Sequence, residues 1–172
     1  MISLGALHLW FSYAALLTGL FVVLLRKGTR LHRSLGYAYV TSMLGVNATA
    51  LMIYELFGHF GVFHYAAVLS LATLTAGMVP VLVRHKNWLQ WHAYLITGSY
   101  AGLISAAVSE STRLPLISSF FVSVTSLFVE TESVSRAAFW TAVGTASFVV
   151  TFIGVTLMTI YIPRAMKNMS RT

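Results

Sequence analysis

A chain of 172 residues that is 58% hydrophobic and 9% charged, with a mean hydropathy of +0.80, carries more apolar side chain than a soluble domain of one-domain length can bury. The net charge of +7 does not point to nucleic acid, because the eleven Lys and Arg residues fall in short clusters between apolar runs. The lack of cysteine and aspartate excludes disulfides, thiolate metal sites, iron–sulfur clusters and a Ser-His-Asp triad, and no phosphate-cradling glycine motif is present.

The expected fold is all-α: a polytopic membrane bundle of four core helices, a fifth C-terminal helix and a short outer interfacial helix, forming one domain. A helix needs roughly 20 apolar residues to cross the hydrocarbon. The first such run, 2–25, starts without a basic leader, ends at Arg26-Lys27 and lacks a small-residue cleavage pattern, so it reads as a retained anchor. Within it His8, Ser12, Ala15 and Gly19 share one stripe, which directs His8 to the bundle interior.

The basic connector 26–33 leads to a second span, 35–57, with Asn47 midway as interhelical hydrogen-bonding glue and Glu55 near its end. The third span, 63–83, opens at His64. A second basic connector, 84–91, carries His85 and leads to the fourth span, 91–111. There His92 and Glu110 lie 18 residues apart, five turns or roughly 27 Å along one face. Gly98 and Gly102 form a GxxxG that favours close packing. Arg113 follows Glu110 at helical spacing, as its salt-bridge partner or beside it in a site. Apolar residues at helical spacing over 114–129 form a segment too short to span, read as an interfacial helix or a lid. The last span is 137–162.

Nine of the eleven basic residues share one side of this arrangement, and by the positive-inside rule that side is the cytoplasm. The expected location is the bacterial cytoplasmic membrane, with the N-terminus outside and the C-terminus inside. Expected partners are the lipid bilayer and, beyond it, a larger membrane complex or redox partner, with no nucleic acid. Trp10, Trp88, Trp91 and Trp140 mark the interfaces.

Antiparallel folding sorts the ionisable groups into two layers. Toward the outside gather His8, Glu55, His59, His64, Glu110 and Arg113; toward the cytoplasm gather His32, His85 and His92 among Arg and Lys. Intramembrane ionisable groups are costly and therefore mark function. Three readings follow. In the first, haem b is ligated across helices for electron transfer, with His8 and His64 as the leading pair and His92 and His32 as an inner pair. In the second, zinc or copper is held by His8, His64 and Glu110, with Glu55 and Arg113 nearby, for hydrolase or oxidoreductase chemistry. The third is cofactor-free: an accessory or assembly subunit, or a small proton-linked transporter. No motif names a catalytic residue.

The order of elements resembles the bacterial predicted membrane proteins grouped as domain of unknown function 2306. The matching features are an early His in the first span, RKGT-x-x-HRSLGY with His32 and Gly36, GVFH with His64, WLQWH with Trp88 and His92, and SYAGLISAAVSE with Gly102 and Glu110, followed by Arg113. They run from Leu7 to Arg113. The resemblance implies a membrane fold and marks these residues, but implies no reaction.

Overall fold

The computed structural model describes residues 3–54, 59–84, 86–111, 119, 122–123, 145, 147, 149–158, 160 and 162–164. Among these the chain is helical, without strands: α1 (Leu4–Leu24), α2 (Arg30–Met52), α3 (Val62–Val83), α4 (Trp88–Ser111) and an apolar helix α5 (Val149–Arg164). Of the expected interfacial helix over 114–129 only 119, 122 and 123 are among the described residues, all three helical, and the start of the last span lies outside them.

Each helix start has a local cause. The Ser3 hydroxyl accepts from the Ala6 N–H to open α1, and the Thr29 hydroxyl accepts from the His32 N–H at 3.1 Å to open α2. Gly28, with φ +80°, makes the left-handed turn that delivers Thr29 to that cap. Helix α2 therefore begins inside the basic connector, five residues before the apolar run begins at Leu35, because a cap and not hydrophobicity sets the boundary. It also ends earlier than expected, at Met52, where Ile53 turns extended and Tyr54 leaves the helix to lay its ring on His64. Arg84 and Asn87, both left-handed, turn the chain between α3 and α4, so that α4 starts at Trp88.

The chain divides into two compact units, residues 1–100 and 101–172. In the first, α2 packs against both α1 and α3. Of the stripe read from the sequence, Ala15 and Gly19 are buried and His8 and Ser12 half-buried, and Val22 extends the buried side. A Cβ added at Gly19 would fall about 2.5 Å from the Tyr100 ring, and one at Gly45 2.6 Å from the Phe11 ring, so both glycines are required by close approach. Tyr39, 1% exposed, bonds Ser99 at 2.8 Å. Ser99 sends its proton to the Ile96 carbonyl, so the Tyr39 hydroxyl is the donor. Tyr100 donates to the Leu16 carbonyl. These bonds tie α1, α2 and α4 together at mid-height.

In the second unit, Ser105, Ser109, Ser147 and Thr151 form a ladder of hydroxyl bonds, including Ser109 to Ser147 at 2.9 Å. The expected close approach at Gly102 is corrected: among the described residues a Cβ there meets nothing, whereas one at Gly154 would sit 2.9 Å from the Ala101 Cβ. A GxxxG spacing marks a smooth helix face but does not say which face finds a partner.

Large apolar side chains point outward. Trp10 and Leu24 are 70% exposed and Leu82 77%, while Tyr39, Asn47, Thr49, His64 and Ser99 are buried. Only 17% of the most apolar stretch of α1, and 17% of that of α3, is buried. A core helix of a soluble protein would be mostly covered, and apolar outside with polar inside is the pattern that lipid permits. Helices α1 and α3 are long and apolar enough to cross a membrane. Helices α2 and α4, with 23 and 24 residues, match them in length and carry most of the buried polar groups.

Candidate functional site

The histidines are distinguished by which ring nitrogen holds the proton, and the partner of each ring decides that. His92, near the start of α4, bonds the Gly77 carbonyl of α3 through Nδ1 at 2.9 Å. A carbonyl only accepts, so Nδ1 carries the hydrogen and the lone pair of the neutral ring is at Nε2. Gly77 permits this approach, since a Cβ there would fall 2.8 Å from the Ile96 side chain.

His32, at the start of α2, lies beside the Val22 carbonyl of α1, and its Nδ1 is buried with no partner among the described residues. The charge of His92 is felt at His32, which puts the two rings in one neighbourhood, at the end of the first unit expected to face the cytoplasm. His32 belongs to the connector ahead of the apolar run. Burial, followed by the charges of Lys27 and His92, holds its pKa below the ordinary 6.5, against the upward pull of the Val22 carbonyl.

Lys27 is half-buried at the same place and donates to the Val22 and Val23 carbonyls at 2.7 and 2.6 Å, closing the C-terminus of α1. Burial lowers its pKa from 10.5. Sequence reasoning missed this cap, although a lysine just past a helix end is its ordinary signal.

The outer end is built differently. His8 meets Thr49 of α2 through Nδ1 at 2.8 Å. Thr49 has one hydroxyl proton, which goes to the carbonyls of Gly45 and Val46, so its oxygen accepts from His8 and the His8 lone pair is at Nε2. His8 is engaged beyond Thr49 as well. The inward direction read from the small-residue stripe is thus matched by a bond to α2. Nothing in the sequence singles out Thr49, 41 residues away.

His64 is 3% exposed and lies between the rings of Tyr54 and Phe60, at centroid distances of 4.5 and 4.7 Å. Its Nδ1 accepts from the Gly61 N–H at 3.1 Å, which caps α3. The proton of the neutral ring is then at Nε2, which is buried without a partner. His64 therefore presents an N–H inward and no lone pair. Bound as it stands it cannot ligate a metal through Nε2 without becoming an imidazolate. His8 and His64 both meet the outer end of α2, through Thr49 and Tyr54, and among the described residues no hydrogen bond or ring contact joins them. His8 and His64 thus hold different partners at this end of the unit.

The Asn47 side chain, 2% exposed, has an Nδ2 with no acceptor. Its amide nitrogen is therefore not the interhelical glue expected of it. Glu55, His85 and Arg113 lie outside the described residues, as does the side chain of Glu110 at the outer end of α4. His59 is an exposed loop residue. Among the described residues no three of His and Glu gather as a metal site would require. Two surface hollows are present, and neither is lined by a histidine. One, about 360 Å³, lies among Val79, Pro80, Val83, Lys86, Trp88 and Trp91; the other, about 460 Å³, lies among Arg30, Arg33, Ser34 and Tyr37.

No curated protein and no solved structure matches the chain. A family described as predicted membrane protein (DUF2306) matches over residues 5–150, past the Leu7 to Arg113 stretch that carries the resemblance. With its outward apolar surface and buried polar groups, this chain belongs to the DUF2306 family of membrane proteins.

Proposed function

We propose that α1 to α5 all cross the bacterial cytoplasmic membrane, with the N-terminus outside, and that His32 and His92 form the ligand pair of a haem b site at the inner end. The observation that carries this reading is the state of His92, which spends its Nδ1–H on the Gly77 carbonyl and keeps a lone pair at Nε2, the arrangement in which histidines ligate metals, with the partnerless Nδ1 of His32 in the same neighbourhood. Burial keeps His32 neutral at pH 7, as a ligand must be.

Two imidazoles suit haem better than zinc or copper, which take three or four protein ligands. A bound haem supplies one-electron chemistry. The chain's own Gly77 carbonyl orients the His92 ring. The residues fit one inner centre and not a second outer one, because His64 offers a proton.

The test is the reduced-minus-oxidised absorption spectrum of the full chain, purified in mild detergent from cells supplied with haem precursor. A low-spin bis-imidazole signature, with about one haem per chain, supports the reading. Absence of haem after such expression, and after haem titration, removes it.

A second reading is the cofactor-free accessory or proton-linked protein, and different observations favour it. Among the described residues the buried N–H groups of Asn47 and His64 have no acceptor, and neither of the two hollows described is lined by a histidine. On that reading the haem titration shows no specific binding.

A further inference from the structure

Arg30, Arg33, Ser34 and Tyr37 follow one another at intervals of three, one and three, which places them on a single stripe of α2. Tyr39 and Met43, buried at 1% exposure each, define the opposite, inward side of that helix. The four outward residues line a hollow of about 460 Å³, and all four are exposed, Tyr37 by 64%. The stripe starts in the basic connector and runs into the apolar stretch that begins at Leu35, so it straddles the membrane boundary.

The charges in this stripe are uncompensated. The chain's four carboxylates stand at positions 55, 110, 130 and 132, and among the described residues neither Arg30 nor Arg33 has an ion pair. Lys27, three residues before Arg30, is already bonded to the α1 carbonyls. It is the contrast that matters: one cation of the connector closes a helix, while two guanidiniums are left beside two hydroxyls around an open hollow.

We propose that this hollow binds the phosphate of an anionic glycerophospholipid. Guanidinium forks donate paired hydrogen bonds to phosphate oxygens, and the Ser34 and Tyr37 hydroxyls add donors on the same face. Tyr37, one turn deeper, lays its ring at the level where headgroup gives way to acyl chain. The net charge of the headgroup is read because two cations face it with no acid between them; a zwitterionic lipid brings its own ammonium into the same space. Bilayer lipid reaches the site laterally, which a free anion in the cytoplasm does not need to do. The proposal rests on the membrane reading and is independent of haem.

The experiment is a thermal melt of the full chain in neutral detergent with added phosphatidylglycerol, with phosphatidylcholine of the same acyl chains, or with sodium phosphate. Binding to the folded state raises the midpoint with ligand concentration. Phosphatidylglycerol should raise it well above the other two. The variant R30Q/R33Q should need about tenfold or more of that lipid for an equal shift, whereas R26Q/R164Q, with the same loss of charge, should respond as the wild type does. Should R30Q/R33Q fail to fold, S34A/Y37F keeps both arginines and should still need about threefold more lipid. Equal responses to the two lipids, an equal response to sodium phosphate, or an equal loss in R26Q/R164Q would each overturn the proposal.

Discussion

The two ends of the first helical unit use the same side chain for opposite purposes. At the end expected to face the cytoplasm His92 gives its Nδ1 proton to the Gly77 carbonyl and keeps a lone pair at Nε2, while the Nδ1 of His32 is buried without a partner among the described residues. At the outer end His64 gives its lone pair to the Gly61 N–H and keeps a proton with nowhere to go. His8 has the same tautomer as His92, with its Nδ1–H donated to the Thr49 hydroxyl rather than to a backbone carbonyl. Histidine count and depth, which rank the outer layer first, do not separate these cases. The identity of the backbone group beside each ring does.

The sharpest way to break this contrast is substitution of the rings. His92→Ala and His32→Ala should each lower haem retention by about tenfold or more, because removing one of two axial ligands leaves a weak single attachment. His64→Phe, which keeps the aromatic stack, should leave it unchanged. Haem-to-protein ratios after detergent washing measure the difference.

The next largest effect is expected at Gly77, whose carbonyl orients His92. Gly77→Val forces a branched side chain against Ile96 and Leu95, at a cost of roughly 1–3 kcal/mol. Gly36→Ala, with nothing within 4 Å among the described residues, should be tolerated apart from small propensity effects. Thermal unfolding of the two variants in one detergent checks this.

How much of this was legible in the sequence follows from what sets each feature. The helices and the buried stripe of Ala15 and Gly19 could be read because apolar runs and small-residue spacing are local. The start of α2 at Arg30 was misplaced because Thr29 and Gly28 set it, upstream of the apolar run. The pair His32 and His92 was visible as residues, but not what sets it apart: the tautomer of His92 depends on a carbonyl 15 residues away, on α3. The orphan nitrogen of Asn47 was invisible for the same reason, since a partner's absence has no sequence pattern.

Asn47 sharpens the comparison from the other side. Asn47→Leu should stabilise the protein by up to about 1 kcal/mol, because a buried donor without an acceptor opposes folding. A loss of more than 1 kcal/mol in thermal unfolding would show that the amide has a structural partner after all.

The smallest effect is in pH. His32 has a pKa held below 6.5 in the folded chain, so the unfolded state binds more protons as pH falls through 6.5, and stability decreases in that direction. Its contribution is full above 6.5 and is lost below it. The midpoint of thermal unfolding should therefore drop between pH 7.5 and 5.5, with a shallower drop in His32→Gln.

The central claim is that the inner end, and not the outer, holds the ligand pair. Its most direct measurement is the low-temperature electron paramagnetic resonance spectrum of oxidised, haem-loaded protein, compared for wild type, His92→Ala and His64→Phe. The account predicts a low-spin bis-imidazole ferric signal in the wild type and in His64→Phe, with conversion to high spin or loss of signal in His92→Ala. An unchanged low-spin signal in His92→Ala would contradict it.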